Sequence, residues 1–233
     1  MQLFIGEFNE NLAVLSEEES KHFSKVLRGK LGQSIYVIDG KGKFVEGNVI
    51  EINSKSVLVE VNQWLESQNR NYKIHMAIAP TKSMDRLEFF LEKATEIGID
   101  EITFLNCFHS ERKNIKLERC QRIVTSAVKQ SLKTYIPKLN ELTRFTDFIK
   151  QDFNCNKLIA HCNEDFERIS IKNHIKPNED YLILIGPEGD FSKEEIEIAE
   201  KNGFKGISLG EQRLRTETAA LNAVFGLNWI NQK

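Results

Sequence analysis

Residues 181–195 read YLILIGPEGDFSKEE, and this stretch decides the fold. Tyr181–Ile185 is a short, unbroken apolar run ending at a turn signal, which predicts a buried strand. Ser192 followed by Glu195 is a capping box, predicting a helix that runs to Asn202 and stops at Gly203. Between them, Gly186 and Gly189 are expected to adopt positive φ and to let a ligand approach the backbone without meeting a Cβ. A strand, a glycine loop and a helix in that order put free N–H groups at the carboxyl end of a strand, where α/β proteins hold ligands. The stretch alone leaves open a plain strand-to-helix turn.

Glu188 narrows the ligand. A phosphate cradle uses bare N–H groups and a lysine, as in G-x-x-x-x-G-K-[ST], and that pattern does not occur in the chain. Glu188 and Asp190 would repel a phosphate. They suit a neutral or cationic ligand, or favour the positive end of the helix dipole.

Composition sets the outer limits. The 233 residues are 40% hydrophobic and 28% charged, which predicts an ordinary globular protein of one or two domains. No apolar run reaches membrane-span length, and MQLFIGEFNE lacks a basic region followed by an apolar core, so a cytoplasmic location is expected. Cys107, Cys120, Cys155 and Cys162 form no C-x-x-C, and the five histidines are scattered, so reduced thiols and no metal are expected.

Net charge is −2, but it is unevenly distributed. Ser110–Lys150 holds ten Lys/Arg against four Asp/Glu, Asn163–Glu200 four against eleven, and Lys21–Lys43 six against one. Such asymmetry can build a basic face for a phosphate backbone, or it can mark solvated helix faces.

The first seventy residues read as strands with one helix. Ser16 and Glu19 form a capping box, and Leu15, His22, Phe23, Val26 and Leu27 make a stripe ending at Gly29. On that stripe His22 is expected in the core. The alternating runs 33–39, 43–52 and 56–63 follow, separated by Gly-Lys-Gly and Asn-Ser-Lys turns, which predicts a small antiparallel barrel. Glu66–Asn71 reads as a linker. From Tyr72 strands alternate with helices: YKIHMAIAP, helix Met84–Ile97, EITFL, helix Leu117–Leu132, KLIAHC, YLILI, GISLG and helix Thr216–Ile230. That alternation predicts a mostly parallel sheet with helices on both faces.

A second glycine junction, ISLGEQRLRTETAALNAV (Ile207–Val224), follows the first. Two such strand ends would make a two-walled pocket with Arg213 and Arg215 at its rim, unless those arginines pair with the acidic helix Glu194–Glu200.

Together, LIGPEGDFSKEEI and LGEQRLRTETAALNA strongly resemble the C-terminal signature of the RsmE family, the 16S rRNA (uracil(1498)-N(3))-methyltransferases of the SPOUT superfamily. HFSKVLRGKLGQSIYVIDGKG (His22–Gly42), KSMDRLEFFLEKATEIGI (Lys82–Ile99), SER (Ser110–Arg112) and KQSLKTYIP (Lys129–Pro137) are similar to further family blocks, in family order. The resemblance implies a PUA-like, RNA-binding β-barrel over 1–70 and a SPOUT-type α/β domain with a trefoil knot over 71–233. It also implies S-adenosylmethionine as cofactor, a homodimer, and 16S rRNA or the 30S subunit as partner.

By the same resemblance, cofactor contacts fall on Ala160, His161, Ile185, Gly186, Glu188, Gly189, Leu209, Gly210, Leu214 and Thr218. Arg112 and Arg215 are the catalytic candidates, and Arg28, Lys82 and Arg86 the RNA contacts. Glu188 reads as a structural and cofactor residue in preference to a proton acceptor, since that role needs a pKa raised by burial. At His161 the backbone is expected to matter more than the ring. The chain departs from the family pattern at Asp190 (a glycine there), at Lys129 before Gln130 (a glutamate) and at Lys133 (an arginine). Asp190 is expected to narrow the cofactor loop, and the lysines to change rim charges. Asp190 also lends weight to the alternative of a non-catalytic ribosome-binding or assembly factor with the same fold.

Overall fold

The computed structural model describes residues 2–53, 55–67 and 70–232. Gln68 and Asn69 of the expected linker and Ser54 of the Asn-Ser-Lys turn lie outside them. The chain divides into two compact units, Met1–Asn69 with Val128–Ile136, and Arg70–Ala127 with Pro137–Lys233.

In the first unit five strands close a barrel in the order β1-β2-β5-β4-β3: β1 (Leu3–Asn9), β2 (Leu12–Leu15), β3 (Ser34–Ile38), β4 (Phe44–Ile52) and β5 (Val57–Trp64). Alternate residues point inward, and Phe4, Ala13, Ile35, Val37, Val45, Val57 and Val59 fill the centre. The barrel is not wholly antiparallel, because β3 pairs with β1 in parallel. β2 already returns the chain to the end where β1 starts, and the helical segment between β2 and β3 carries it across to the other side of β1.

That segment corrects the expected stripe. Helix α1 (Glu17–Lys21) passes into a π-helical turn, His22–Val26, in which Leu27 N–H donates to the His22 carbonyl at 3.0 Å. The wider turn breaks the 3.6-residue register. Leu15 and Phe23 stay buried, whereas His22, Val26 and Leu27 face solvent. The Glu19 carboxylate does not complete a capping box with Ser16; it accepts from Lys129 Nζ at 2.7 and 2.8 Å. Lys129 is thus tied into the first unit. Gly29 lies against the Phe23 ring, where a Cβ would stand 2.1 Å from the ring's tip. Because that ring is fully buried, Gly29→Ala should lower stability by roughly 1–3 kcal/mol through overpacking; thermal unfolding of the variant checks this.

The second unit is a seven-stranded sheet: β6 (Ile74–Ile78), β7 (Glu101–Asn106), β8 (Lys138–Arg144), β9 (Asn156–Ala160), β10 (Ile169–Ser170), β11 (Tyr181–Ile185) and β12 (Lys205–Ser208). Their order is β10-β12-β9-β11-β6-β7-β8, and every pairing is parallel. This is the expected α/β architecture beside a PUA-like barrel. Helices α2 (Met84–Ile97) and α6 (Thr216–Ile230) pack together, and α6 also meets β6 and β11. Leu182 and Leu184 of β11 share a core cluster with Phe145 and Phe148 of α4 (Phe145–Phe148) and with Ile196 and Ala199 of α5 (Lys193–Lys201). Helix α3 (Leu117–Gln130) precedes β8.

A buried polar knit anchors α6. Asn228 Nδ2 donates to the carbonyls of Gly98 and Val224, each at 2.8 Å, while its Oδ1 accepts from the Tyr72 hydroxyl at 2.9 Å. The chain enters the sheet along the inner strand β6, runs outward through β7 to β8, and then returns. β11 lies between β9 and β6, and β12 lies beyond β9. That reversal of order is a topological switch point, the place where open parallel sheets form a crevice at their carboxyl ends.

Candidate active site

Five adjacent strands, β12, β9, β11, β6 and β7, end side by side. Ile207, Ala160, Ile185, Ile78 and Phe104 stand in one row across them. The loops leaving this row carry Ala160 and His161 from β9, Gly186, Glu188 and Gly189 from β11, Leu209, Gly210 and Leu214 from β12, Lys82 from β6 and Arg112 from β7. Arg215 occupies the N-cap position of α6 without a side-chain capping bond, and Thr218 lies in the helix's first turn. Arg28 belongs to the barrel unit.

The glycine loop is built differently from its sequence reading. Neither Gly186 nor Gly189 has a positive φ; the left-handed residue is Asp190, at φ +63°. At both glycines a side chain would meet a close neighbour. A Cβ on Gly186 would lie 3.1 Å from the Phe191 ring, and one on Gly189 would lie 3.0 Å from His109 Cβ. Ser192 and Glu195 do form the reciprocal capping box, and Glu195 Oε1 also accepts from Phe108 N–H at 2.8 Å.

The charged candidates are mostly engaged in bracing loops. Glu188 Oε1 accepts from Lys82 N–H at 2.9 Å. Arg112 Nε donates to the Thr81 carbonyl at 3.0 Å and an Nη to the Lys82 carbonyl. The loop after β6 is therefore held from both sides, by a carboxylate and a guanidinium. Lys82 Nζ pairs with Glu111 at 2.9 Å, and Arg86 Nε approaches Glu217 at 3.8 Å. Arg213 and Arg215 are exposed, and among the described residues neither pairs with the acidic helix α5.

Two features fit a small cofactor held mainly by main-chain groups. Gly210 adopts φ +131°, and nothing lies within 4 Å of the Cβ position it leaves empty. Among the described residues, the N–H groups of Glu211, Gln212, Arg213 and Leu214 have no main-chain partner. The His161 ring, against Gly206 of β12, is buried, at 4% exposure, with both nitrogens unpartnered among the described residues. Burial lowers its pKa, so the ring is neutral and offers one donor and one acceptor. The ring, and not only the backbone expected from sequence, thus carries unmet hydrogen-bonding capacity. A separate cavity of about 420 Å³ opens between β7, β8 and α5, lined by Phe108, Arg144, Phe145 and Glu194 among others. None of the expected cofactor residues lines it.

Comparison with known proteins adds the lineage. Residues 68–227 match a family described as "RNA methyltransferase domain", and residues 15–62 match "RNA methyltransferase PUA domain". Ribosomal RNA small subunit methyltransferase E of Mesomycoplasma hyopneumoniae is 30% identical over 94% of this chain and 95% of its own length. A structure from Porphyromonas gingivalis, described as a "probable rRNA-methyltransferase", is 39% identical with TM-score 0.89, over 99% of this chain and 98% of that one. The ribosomal RNA small subunit methyltransferase E of Neisseria gonorrhoeae, solved bound to S-adenosyl methionine, is 26% identical with TM-score 0.85, over 99% and 98%. The second match lies within the first compact unit and the first covers most of the other, and with these relatives they mean that the chain belongs to the RsmE family of RNA methyltransferases.

Proposed function

We propose that this enzyme methylates N3 of one uridine of 16S rRNA, within the 30S subunit, as a cytoplasmic homodimer with a knotted catalytic domain. The coarser activity is S-adenosylmethionine-dependent rRNA methylation. The observation that carries the reading is the row of five strand ends, with two glycine-containing loops, open main-chain donors and no phosphate-binding lysine.

S-adenosylmethionine, when bound, supplies an electrophilic methyl group on a sulfonium. Ala160, His161, Ile185, Gly186, Gly189, Leu209, Gly210, Leu214 and Thr218 would hold it, with Glu188 fixing the neighbouring loop through Lys82 N–H. The chain's remaining task is to seat an unpaired base and to balance charge as the N3 proton leaves. Negative charge then develops over O2, N3 and O4, where a guanidinium or main-chain donors stabilise it. Arg215, exposed and without an ion pair among the described residues, suits that role. Arg112 suits the positioning of the loop after β6.

The RNA reading of the barrel draws support from one protruding tip. The π-turn presents Lys25 and exposes Val26 (66%), and Arg28 follows at φ +52°. Lys30 and Leu31 (65% exposed) complete the group. Cations reach phosphates, and apolar neighbours suit unstacked bases. The division at residue 70 remains the functional one, RNA affinity in 1–70 and methyl transfer in 71–233.

The dimer reading rests on an apolar surface. Phe89 of α2 and Phe225 and Trp229 of α6 are at least half exposed, and the last two stack at 5.7 Å. Among the described residues no helix is long and apolar enough to cross a membrane.

Incubation with S-adenosylmethionine and either 30S subunits or naked 16S rRNA, followed by mass mapping, tests the whole reading. One N3-methyluridine at one position is expected, on subunits more than on naked RNA, with a dimer in sedimentation. Cofactor binding with no rRNA methylation would favour the non-catalytic assembly factor.

A further inference from the structure

Asp190 does more than end the glycine loop. Its φ of +63° is the left-handed region, which glycine enters freely and other residues enter under strain. The turn itself, closed by Asp190 N–H to the Pro187 carbonyl at 2.9 Å, calls for no side chain. The side chain nevertheless makes two bonds. Oδ1 accepts from Phe191 N–H at 2.8 Å, and Oδ2 accepts from Cys162 N–H at 2.7 Å. The Asp190 carbonyl meets His109 Nδ1 at 3.0 Å. One residue thereby ties together the loops that follow β7, β9 and β11.

We propose that Asp190 is a positioning residue of the methyl-transfer site, whose carboxylate latches the loop after β9 onto the glycine loop and so fixes the width of the cofactor slot. The bond to Cys162 is the working part. It joins the residues just beyond Ala160 and His161 to those just beyond Gly189, the two walls assigned above to S-adenosylmethionine. The inference rests on that assignment. A bond between a carboxylate and a backbone N–H is stronger than a neutral one, and here it holds two segments with no ladder between them. Pre-formed walls spare the cofactor the entropy of ordering them, so the latch shows as affinity.

Asp190→Gly separates the latch from the turn. Glycine removes the left-handed strain, which offsets part of the two lost bonds and of the added freedom of the unfolded chain, so the melting temperature should fall by only a few degrees. The dissociation constant and KM for S-adenosylmethionine should rise about tenfold, as loss of one charge-assisted bond implies. The KM for RNA should not move, and kcat at saturating cofactor should stay within about twofold of the parent enzyme. Asp190→Asn keeps one acceptor oxygen and tolerates the left-handed region, so it should recover part of the affinity.

Calorimetry and steady-state kinetics on the full chain read all of this. Wild-type cofactor affinity in Asp190→Gly overturns the latch. So does a large fall in melting temperature with parallel rises in the KM for RNA and for cofactor in both variants, which marks a residue that only holds the fold. A wild-type chain that binds no S-adenosylmethionine overturns the cofactor assignment itself, a result distinct from either.

Discussion

Gly189→Val is expected to remove measurable S-adenosylmethionine binding from a protein that still unfolds cooperatively near its native temperature. A Cβ at this position stands 3.0 Å from His109 Cβ and 3.3 Å from its Cγ, closer than ordinary contact. Valine adds two methyl groups beyond that. His109 is exposed and can yield, so the core is spared. The yielding is costly for the site, because His109 Nδ1 meets the Asp190 carbonyl and Asp190 holds Cys162. Pushing the loop after β7 away from the glycine loop therefore disturbs both cofactor walls together. A hundredfold or greater loss of affinity is expected, about 2.7 kcal/mol or more. Gly189→Ala should lie between wild type and valine. Titration calorimetry decides it, and unchanged affinity in the valine variant would take Gly189 off the cofactor wall.

The reason for that prediction differs from the one the sequence suggests. A glycine in a loop announces freedom at φ, yet the positive φ falls one residue later, on an aspartate. What crowds Gly189 is a neighbour eighty residues away in the chain, and no local pattern contains that contact. The same distinction runs through the fold. Tyr181–Ile185, the Ser192–Glu195 capping box and helix Met84–Ile97 are legible because each depends on residues within one turn or one strand. Lys138–Arg144 is a strand that its sequence, KLNELTR, conceals. It lies at the sheet edge and is held by its ladder to β7 rather than by an apolar face. The stripe from Leu15 to Leu27 misleads for a further reason, since a π-turn shifts the register that periodicity assumes. Among site residues, the bracing of Arg112 and Glu188 on the loop after β6 is a long-range matter and leaves no trace in spacing. Asp190 did leave a trace, as a side chain standing where the resembling family has glycine.

Arg215→Ala should lower turnover and spare RNA affinity, while Arg28→Ala should do the reverse. Arg215 holds the N-cap position of α6 at the end of the second glycine loop, exposed and free of ion pairs among the described residues. A cation kept for the reaction is not neutralised by a structural partner in the resting protein. Arg112, by contrast, already donates to two carbonyls. If the Arg215 guanidinium stabilises charge developing on the uracil, its loss costs roughly 2–4 kcal/mol, on the order of 30- to 1000-fold in kcat. Arg215→Lys should recover only part, since a point charge lacks the planar fork of donors. Arg28 lies in the barrel unit, held at φ +52° among exposed Val26, Leu27 and Leu31. Removing a phosphate contact there should raise the KM for rRNA or subunit and leave cofactor affinity unchanged. It should also flatten the slope of log K against log salt by about one unit, since one fewer counterion is released. The two kinetic profiles together test the division of labour between the units. If Arg28→Ala abolishes cofactor binding, or Arg215→Ala changes only RNA affinity, that division is wrong, and the charge at the end of the second loop serves to grip RNA.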